Sequence, residues 1–245
     1  MKISVIIPMY NEEAIIKDTL LTVSDYMRAH FDEGEYEIIF VNDGSQDLCA
    51  SYVGECTYSG VRLVSYEKNR GKGYAIRQGV MAAGGDVVMF TDCDLAYGTD
   101  VIGEFYDALA GQQDGIAVGS RPKHPEGYSG YTLLRKIVSR SYLAVLRIFG
   151  GLSLSDSQCG CKAFSGAIAK RIFSYCEIDR FAFDFEAILI GQRMGASFVE
   201  IPVKVINHGE SKVHIIKDTL RMLSDLRRMK KRIKKLDIVQ TKLSI

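Results

Sequence analysis

Nothing in the 245 residues reads as a membrane span, because no run of eighteen apolar residues occurs. A secretory leader is not expected either, since Met1-Lys2 runs straight into an apolar strand. The six cysteines lack the spacing of a disulfide framework. Cys159 and Cys161 flank Gly160, yet no second cysteine pair or histidine cluster lies at zinc-finger spacing. All six read as free thiols, which predicts a reducing, cytoplasmic compartment. The usual nucleotide fingerprints are missing as well. The first strand is followed by Pro8-Met9-Tyr10-Asn11-Glu12 rather than a glycine-rich turn. Gly71-Lys72-Gly73 is followed by Ile76 where a dinucleotide motif needs its third glycine, and it lacks P-loop spacing.

What is present is the composition of a globular protein, 47% apolar and 25% charged, long enough for one large α/β domain or two small ones. The net charge of +1 hides an asymmetry. Nine Lys or Arg face two acids between Lys217 and Leu236, so the rest of the chain is mildly acidic. A basic segment on an acidic body points to a membrane surface or phosphates, with no nucleic-acid partner expected. Ile215 to Leu236 reads as a helix with an apolar stripe. Such a helix either lies on an anionic membrane or packs on the domain with a solvated basic end.

Apolar β-branched runs at Ile3 to Ile7, Glu37 to Val41, Val61 to Tyr66 and Asp86 to Phe90 read as buried strands. Amphipathic stretches separate them, the first from Glu12 to about Ala29 with Asn11 as its N-cap. Ser45 or Asp47 is placed to cap the next helix, and Asn69-Arg70-Gly71-Lys72-Gly73 opens another that runs to about Ala83. This rhythm predicts a doubly wound, mostly parallel sheet with helices on both faces. Ligands bind such sheets at the carboxyl ends of the strands, and all four polar clusters fall at that edge.

The stretch that organises the chain is Thr91-Asp92-Cys93-Asp94-Leu95-Ala96. If strand geometry persists from the fourth strand, both carboxylates point to one side. No Lys or Arg is close in sequence. Two like charges there are costly unless a cation arrives, and a divalent ion carrying phosphates meets that need. The alternative is two loop carboxylates in water.

Val5-Ile6-Ile7-Pro8-Met9-Tyr10-Asn11-Glu12, Val41-Asn42-Asp43-Gly44-Ser45-x-Asp47, Asn69-Arg70-Gly71-Lys72-Gly73 and Asp92-x-Asp94 stand in the order seen in family 2 glycosyltransferases. The chain resembles these inverting nucleotide-sugar enzymes of GT-A fold over its N-terminal two-thirds. Further on, five more stretches carry a narrower resemblance. They are Gly119-Ser120-Arg121, Arg135 with Ser139, Asp156-Ser157-Gln158-Cys159-Gly160-Cys161-Lys162, Phe183-Asp184-Phe185-Glu186 and His208-Gly209-Glu210-Ser211-Lys212. Together they are similar to polyprenyl-phosphate hexosyltransferases. The dolichyl-phosphate β-glucosyltransferases match better than the mannosyl branch, where a glutamine commonly stands in the place of Ala96.

The resemblance implies a domain over residues 1–236. Its nucleotide-sugar half spans about 1–120, its acceptor half about 121–236, and 237–245 form a tail. Pro8, Tyr10, Glu12, Asp43, Lys72 and Asp92 would line the UDP-sugar pocket, with Asp94 and Asp92 on Mg²⁺ or Mn²⁺. Arg121, Arg135 and Ser139 would hold the acceptor phosphate, with Lys212 as a further contact. Gln158 and Glu186 would help shape the acceptor site. A phosphate monoester is already largely dianionic at neutral pH, so Asp184 is an obligatory base only if the acceptor is a sugar hydroxyl. His208 and the Cys159–Cys161 pair read as a loop residue and packed thiols. The expected location is peripheral, at the inner membrane face. The oligomeric state stays open.

Overall fold

The computed structural model describes residues 1–128, 154–180, 182–206, 228–229 and 231–236. The strands are β1 (Ile3–Met9), β2 (Tyr36–Asp43), β3 (Val61–Tyr66), β4 (Val87–Phe90), β5 (Gly115–Ser120), β6 (Lys162–Ser165) and β7 (Ser197–Pro202). The helices are α1 (Ile16–His30), α2 (Cys49–Gly54), α3 (Lys72–Ala82), α4 (Val101–Leu109), α5 (Gly166–Tyr175) and α6 (Phe183–Met194). Among the described residues the strands form one sheet in the order β3-β2-β1-β4-β6-β5-β7. The β1–β2, β1–β4, β2–β3 and β5–β7 pairs are parallel, whereas β6 runs antiparallel to both β4 and β5.

Side chains alternate across the central strands and bury both faces. Ile6, Val88 and Phe90 join Ile76 and Val80 of α3, Ile172 and Phe173 of α5, and Ile188 of α6. Val5, Ile7 and Met89 join Leu20 and Val23 of α1 and Ile102 and Phe105 of α4. Full burial of each such side chain contributes about 1.5–3 kcal/mol, which is why the fully apolar β4 sits mid-sheet. All six cysteines are free.

Two local expectations are corrected. Asn11 does not cap α1, which begins only at Ile16. Asn11 takes φ 53° and its side-chain oxygen accepts the Gln46 N–H at 2.9 Å, while its own N–H donates to Ser45 Oγ at 3.0 Å. The amide stitches two neighbouring loops, a longer-range use than the local cap. Asp47 extends that stitch, accepting the Glu13 N–H at 2.8 Å and the Cys49 N–H at the start of α2. Second, β4 stops at Phe90, and a turn begins beyond it, in which the Leu95 N–H donates to the Asp92 carbonyl at 3.0 Å. Strand alternation therefore does not set the directions of Asp92 and Asp94. The turn does, with Leu95 in the left-handed region at φ 47°.

Helix α1 grips this turn from one side, because the buried Thr19 hydroxyl donates to the Cys93 carbonyl at 2.7 Å. Thr19→Val keeps the shape and removes the donor. It is expected to lower the unfolding free energy by about 1–2 kcal/mol, read as a lower urea midpoint at unchanged slope.

Candidate active site

The turn leaves β4 at its carboxyl end, between β1 and β6. Cys93, Leu95 and Tyr97 are buried, and Asp92 and Asp94 alternate with them in half-buried positions. The inward side chains anchor the turn so that the carboxylates face the ligand edge. Burial pushes the Cys93 thiol up to about 12, so this cysteine packs and does not react.

Folding supplies the cation that the local sequence lacks. Lys72, the first residue of α3, forms an ion pair with Asp92. Burial alone would lower the Lys72 ammonium, but Asp92, with Asp184 and Asp94 behind it, raises it instead. The Asp94 carboxyl is pushed up by burial and then by the Asp92 charge, against the Ala96 N–H bound to its Oδ1 at 3.1 Å. Glu12 adds to that push and Lys72 opposes it. A cavity of about 570 Å³ opens beside Asp94, lined by Ile15, Thr22, Thr99 and Ile206 among others.

The loop before β6 closes the site from the other side. A β-carbon on Gly160 would lie 2.1 Å from Asp92 Oδ2, so only glycine lets this backbone lean on the carboxylate. Lys162 is fully buried, donating to the Cys159 carbonyl at 2.6 Å and pairing with Asp184 at 3.2 Å. Asp156, also fully buried, takes the Arg121 guanidinium as a fork, at 2.6 Å from Nε and 3.0 Å from one amino group. Burial disfavours both charges. Their mutual attraction nevertheless holds the Asp156 carboxyl low and the Arg121 guanidinium high. Breaking such a buried pair by removing one partner costs about 3–5 kcal/mol.

At the end of β2, Asp43 organises the 69–71 loop. Its carboxylate accepts the Arg70 and Gly71 N–H groups at 2.8 Å each and the Asn69 amide at 3.0 Å. A carboxylate has about four lone-pair sites, so capacity for a ligand remains. The glycines that match no nucleotide fingerprint serve close packing. A β-carbon on Gly73 would sit 2.5 Å from the Ile178 carbonyl and 2.6 Å from Phe183 Cβ. This proximity lets the Asp179 carbonyl accept the Tyr74 N–H at 3.1 Å. Arg70 stacks over the Tyr74 ring at 3.9 Å.

The sequence candidates thus fall into three groups. Asp92, Asp94, Lys72, Asp184 and Glu12 are linked electrostatically around one turn. Arg121 belongs to a buried pair with Asp156, and Gln158 sits in the same loop, its N–H on Asp156 Oδ1 at 3.0 Å. Glu186 faces a different element. Its Oε2 accepts the Glu177 and Ile178 N–H groups at 2.9 Å each, and its Oε1 pairs with Arg232. Pro8 pairs with Val41 inside the sheet, and Tyr10 is exposed. Arg135, Ser139, His208 and Lys212 lie outside the described residues, as does most of the basic segment from 215. Its described part, 228–229 and 231–236, buries Met229 and Ile233 against the domain core. Sequence reasoning quoted Lys162 in a motif but gave it no role. No local pattern marks it as buried.

Gly160→Ala is expected to leave the fold intact while driving the Asp92 carboxylate out of place. Activity should fall about 10²-fold with a melting temperature close to wild type, since small misplacements at a site cost that much.

Comparison with known proteins gives the site its context. The model for glycosyl transferase family 2 matches residues 4–173. A dolichyl-phosphate beta-glucosyltransferase of Saccharomyces cerevisiae is 28% identical over 91% of this chain and 72% of its own. One from Drosophila melanogaster is 30% identical over 92% and 73%, and one from Mus musculus 30% over 92% and 74%. Among solved structures, glucosyl-3-phosphoglycerate synthase from Mycobacterium tuberculosis superposes with a TM-score of 0.70 at 21% identity, covering 94% of this chain and 80% of that one. That structure holds Mn²⁺, uridine-diphosphate-glucose and phosphoglyceric acid. The likeness is one of fold. With four ordered motifs at one sheet edge and a family match over most of its length, the chain belongs to glycosyl transferase family 2.

Proposed function

We propose that this glycosyltransferase moves glucose from UDP-glucose to the phosphate of a polyprenyl lipid at the cytoplasmic face of a membrane, inverting the anomeric carbon. The observation that carries the reading is the grouping at one turn of Asp92, paired with Lys72, and Asp94, whose carboxyl feels Asp92, Lys72 and Glu12. The turn thus brings two carboxylates together at the end of a central strand. Such a pair attracts a divalent cation, and a diphosphate can share that ion. Among the described residues no group of three His, Cys, Asp or Glu could hold a metal alone. Mg²⁺ or Mn²⁺ would be held by Asp94 and Asp92, whose hard oxygen ligands suit either ion. When bound, the ion supplies Lewis-acid neutralisation of the departing diphosphate.

The protein's own residues bind and orient. Asp43, with Pro8, Tyr10 and Glu12, holds the nucleoside, and Lys72 shares its charge between Asp92 and the donor diphosphate. The acceptor phosphate, with its second pKa near ~6, brings a nucleophile that needs no base. Asp184 fits that scheme, since it is engaged in an ion pair with the buried Lys162. Arg121, Arg135, Ser139 and Lys212 remain the candidate phosphate contacts. The names of the yeast, fly and mouse relatives support glucose and a lipid phosphate. The Mn²⁺ and UDP-glucose of the structural neighbour support the donor.

No helix among the described residues is long and apolar enough to cross a membrane. Residues 228–236 expose Arg228, Lys231, Lys234 and Lys235 while burying Met229 and Ile233. A surface-seated basic edge of this kind gains about 1 kcal/mol per cation on an anionic leaflet.

The direct test is transfer of labelled glucose from UDP-glucose to undecaprenyl or dolichyl phosphate with Mn²⁺. Labelled lipid is expected, and it should vanish on chelation and in Asp94→Ala; undiminished transfer under either condition refutes the metal role. Asp184→Asn separates acceptor classes in the folded fraction. A phosphate acceptor predicts a loss of a few-fold in kcat, a sugar hydroxyl a near-total one.

A further inference from the structure

We propose that Lys162 is a positioning residue for Asp92, acting through the Cys159–Gly160 peptide and never touching substrate. The inference rests on the donor site described above and adds a residue to it.

That peptide unit is held at both ends. Its carbonyl, on Cys159, accepts from Lys162 Nζ at 2.6 Å, and its N–H, on Gly160, donates to the Tyr97 hydroxyl at 3.3 Å. A planar amide gripped at both ends has one orientation left. That orientation turns the bare Cα of Gly160 toward Asp92 Oδ2, where even a β-carbon would not fit. Asp92 is thus backed by a fixed wall on one side and drawn by Lys72 on the other. Lys162 is well built for this. It stands in register opposite Phe90, the last residue of β4, with its ammonium 5.8 Å from that ring's centre. Asp184 supplies the countercharge at 3.2 Å. A methionine would fill the same space without desolvating a charge, and lysine is almost never fully buried unless paired. What the ammonium adds is a grip on the carbonyl that methionine cannot give.

The experiment compares wild type, Lys162→Met and Lys162→Arg by calorimetric binding of UDP-glucose with Mn²⁺, and by steady-state kinetics on the folded fraction. Lys162→Met is expected to weaken UDP-glucose binding about tenfold and raise the donor KM alike, with the acceptor KM unchanged. Lys162→Arg, which keeps a buried donor and charge, should recover most of that loss. If Lys162→Met does not fold, Lys162→Met/Asp184→Asn removes both charges together and is read by the same split between donor and acceptor KM. Folded variants that bind UDP-glucose as tightly as wild type, losing only stability, overturn the role. A wild type that binds no UDP-glucose overturns the donor assignment itself, and this inference with it.

Discussion

Charge matching under the ligand edge is the constraint on which the rest of the structure depends. Lys72 answers Asp92, Lys162 answers Asp184, and Arg121 answers Asp156. The pairs also feel one another, since Asp184 acts on Lys72 and Lys162 acts on Asp156. Lys162, Asp184, Arg121 or Asp156 left alone at its depth would cost several kcal/mol. The pairs therefore have to form together, and the elements that carry them must arrive in register. Those elements are α3, the turn after β4, the end of β5, the loop into β6, and the start of α6. The lattice of charges is a reason this edge has one arrangement and not several.

Space is the second requirement. Pairs this close need backbone that approaches without side chains in the way. Glycines at 73 and 160 provide it, one where α3 meets the segment before α6, the other where the loop before β6 meets Asp92. The same packing sets Asp179 between Arg77 at 2.5 Å and Arg70, which joins the nucleotide loop to the opposite half of the chain.

Much of this was legible in the sequence. Continuous apolar, β-branched runs located β1 to β4, and the polar clusters after them marked the functional edge, because strand ends need turn chemistry and turns carry side chains outward. Asp92, Asp94 and Asp43 were recognisable from type and position. Partnership across the fold was not. Nothing local says that Lys72 reaches Asp92, that Lys162 is submerged, or that Glu186 turns to Arg232 and away from the turn at 92–94. Asn11 looked like a cap because caps are local, yet its partners lie thirty-odd residues on, at Ser45 and Gln46. Strand β6 escaped for a related reason. Four residues, one of them a buried lysine, carry no periodic signal, and only pairing with β4 and β5 makes them a strand.

That reversed strand has a topological consequence. Lys162 lies level with Phe90, so β6 starts on the very rim where β4 and β5 stop. The chain that leaves Ser120 and re-enters at Lys162 departs and lands on one border, and never has to cross a layer of helices to get back. Parallel neighbours would have demanded a crossover there. A connection between two ends on one rim can gain or lose residues without rethreading the sheet.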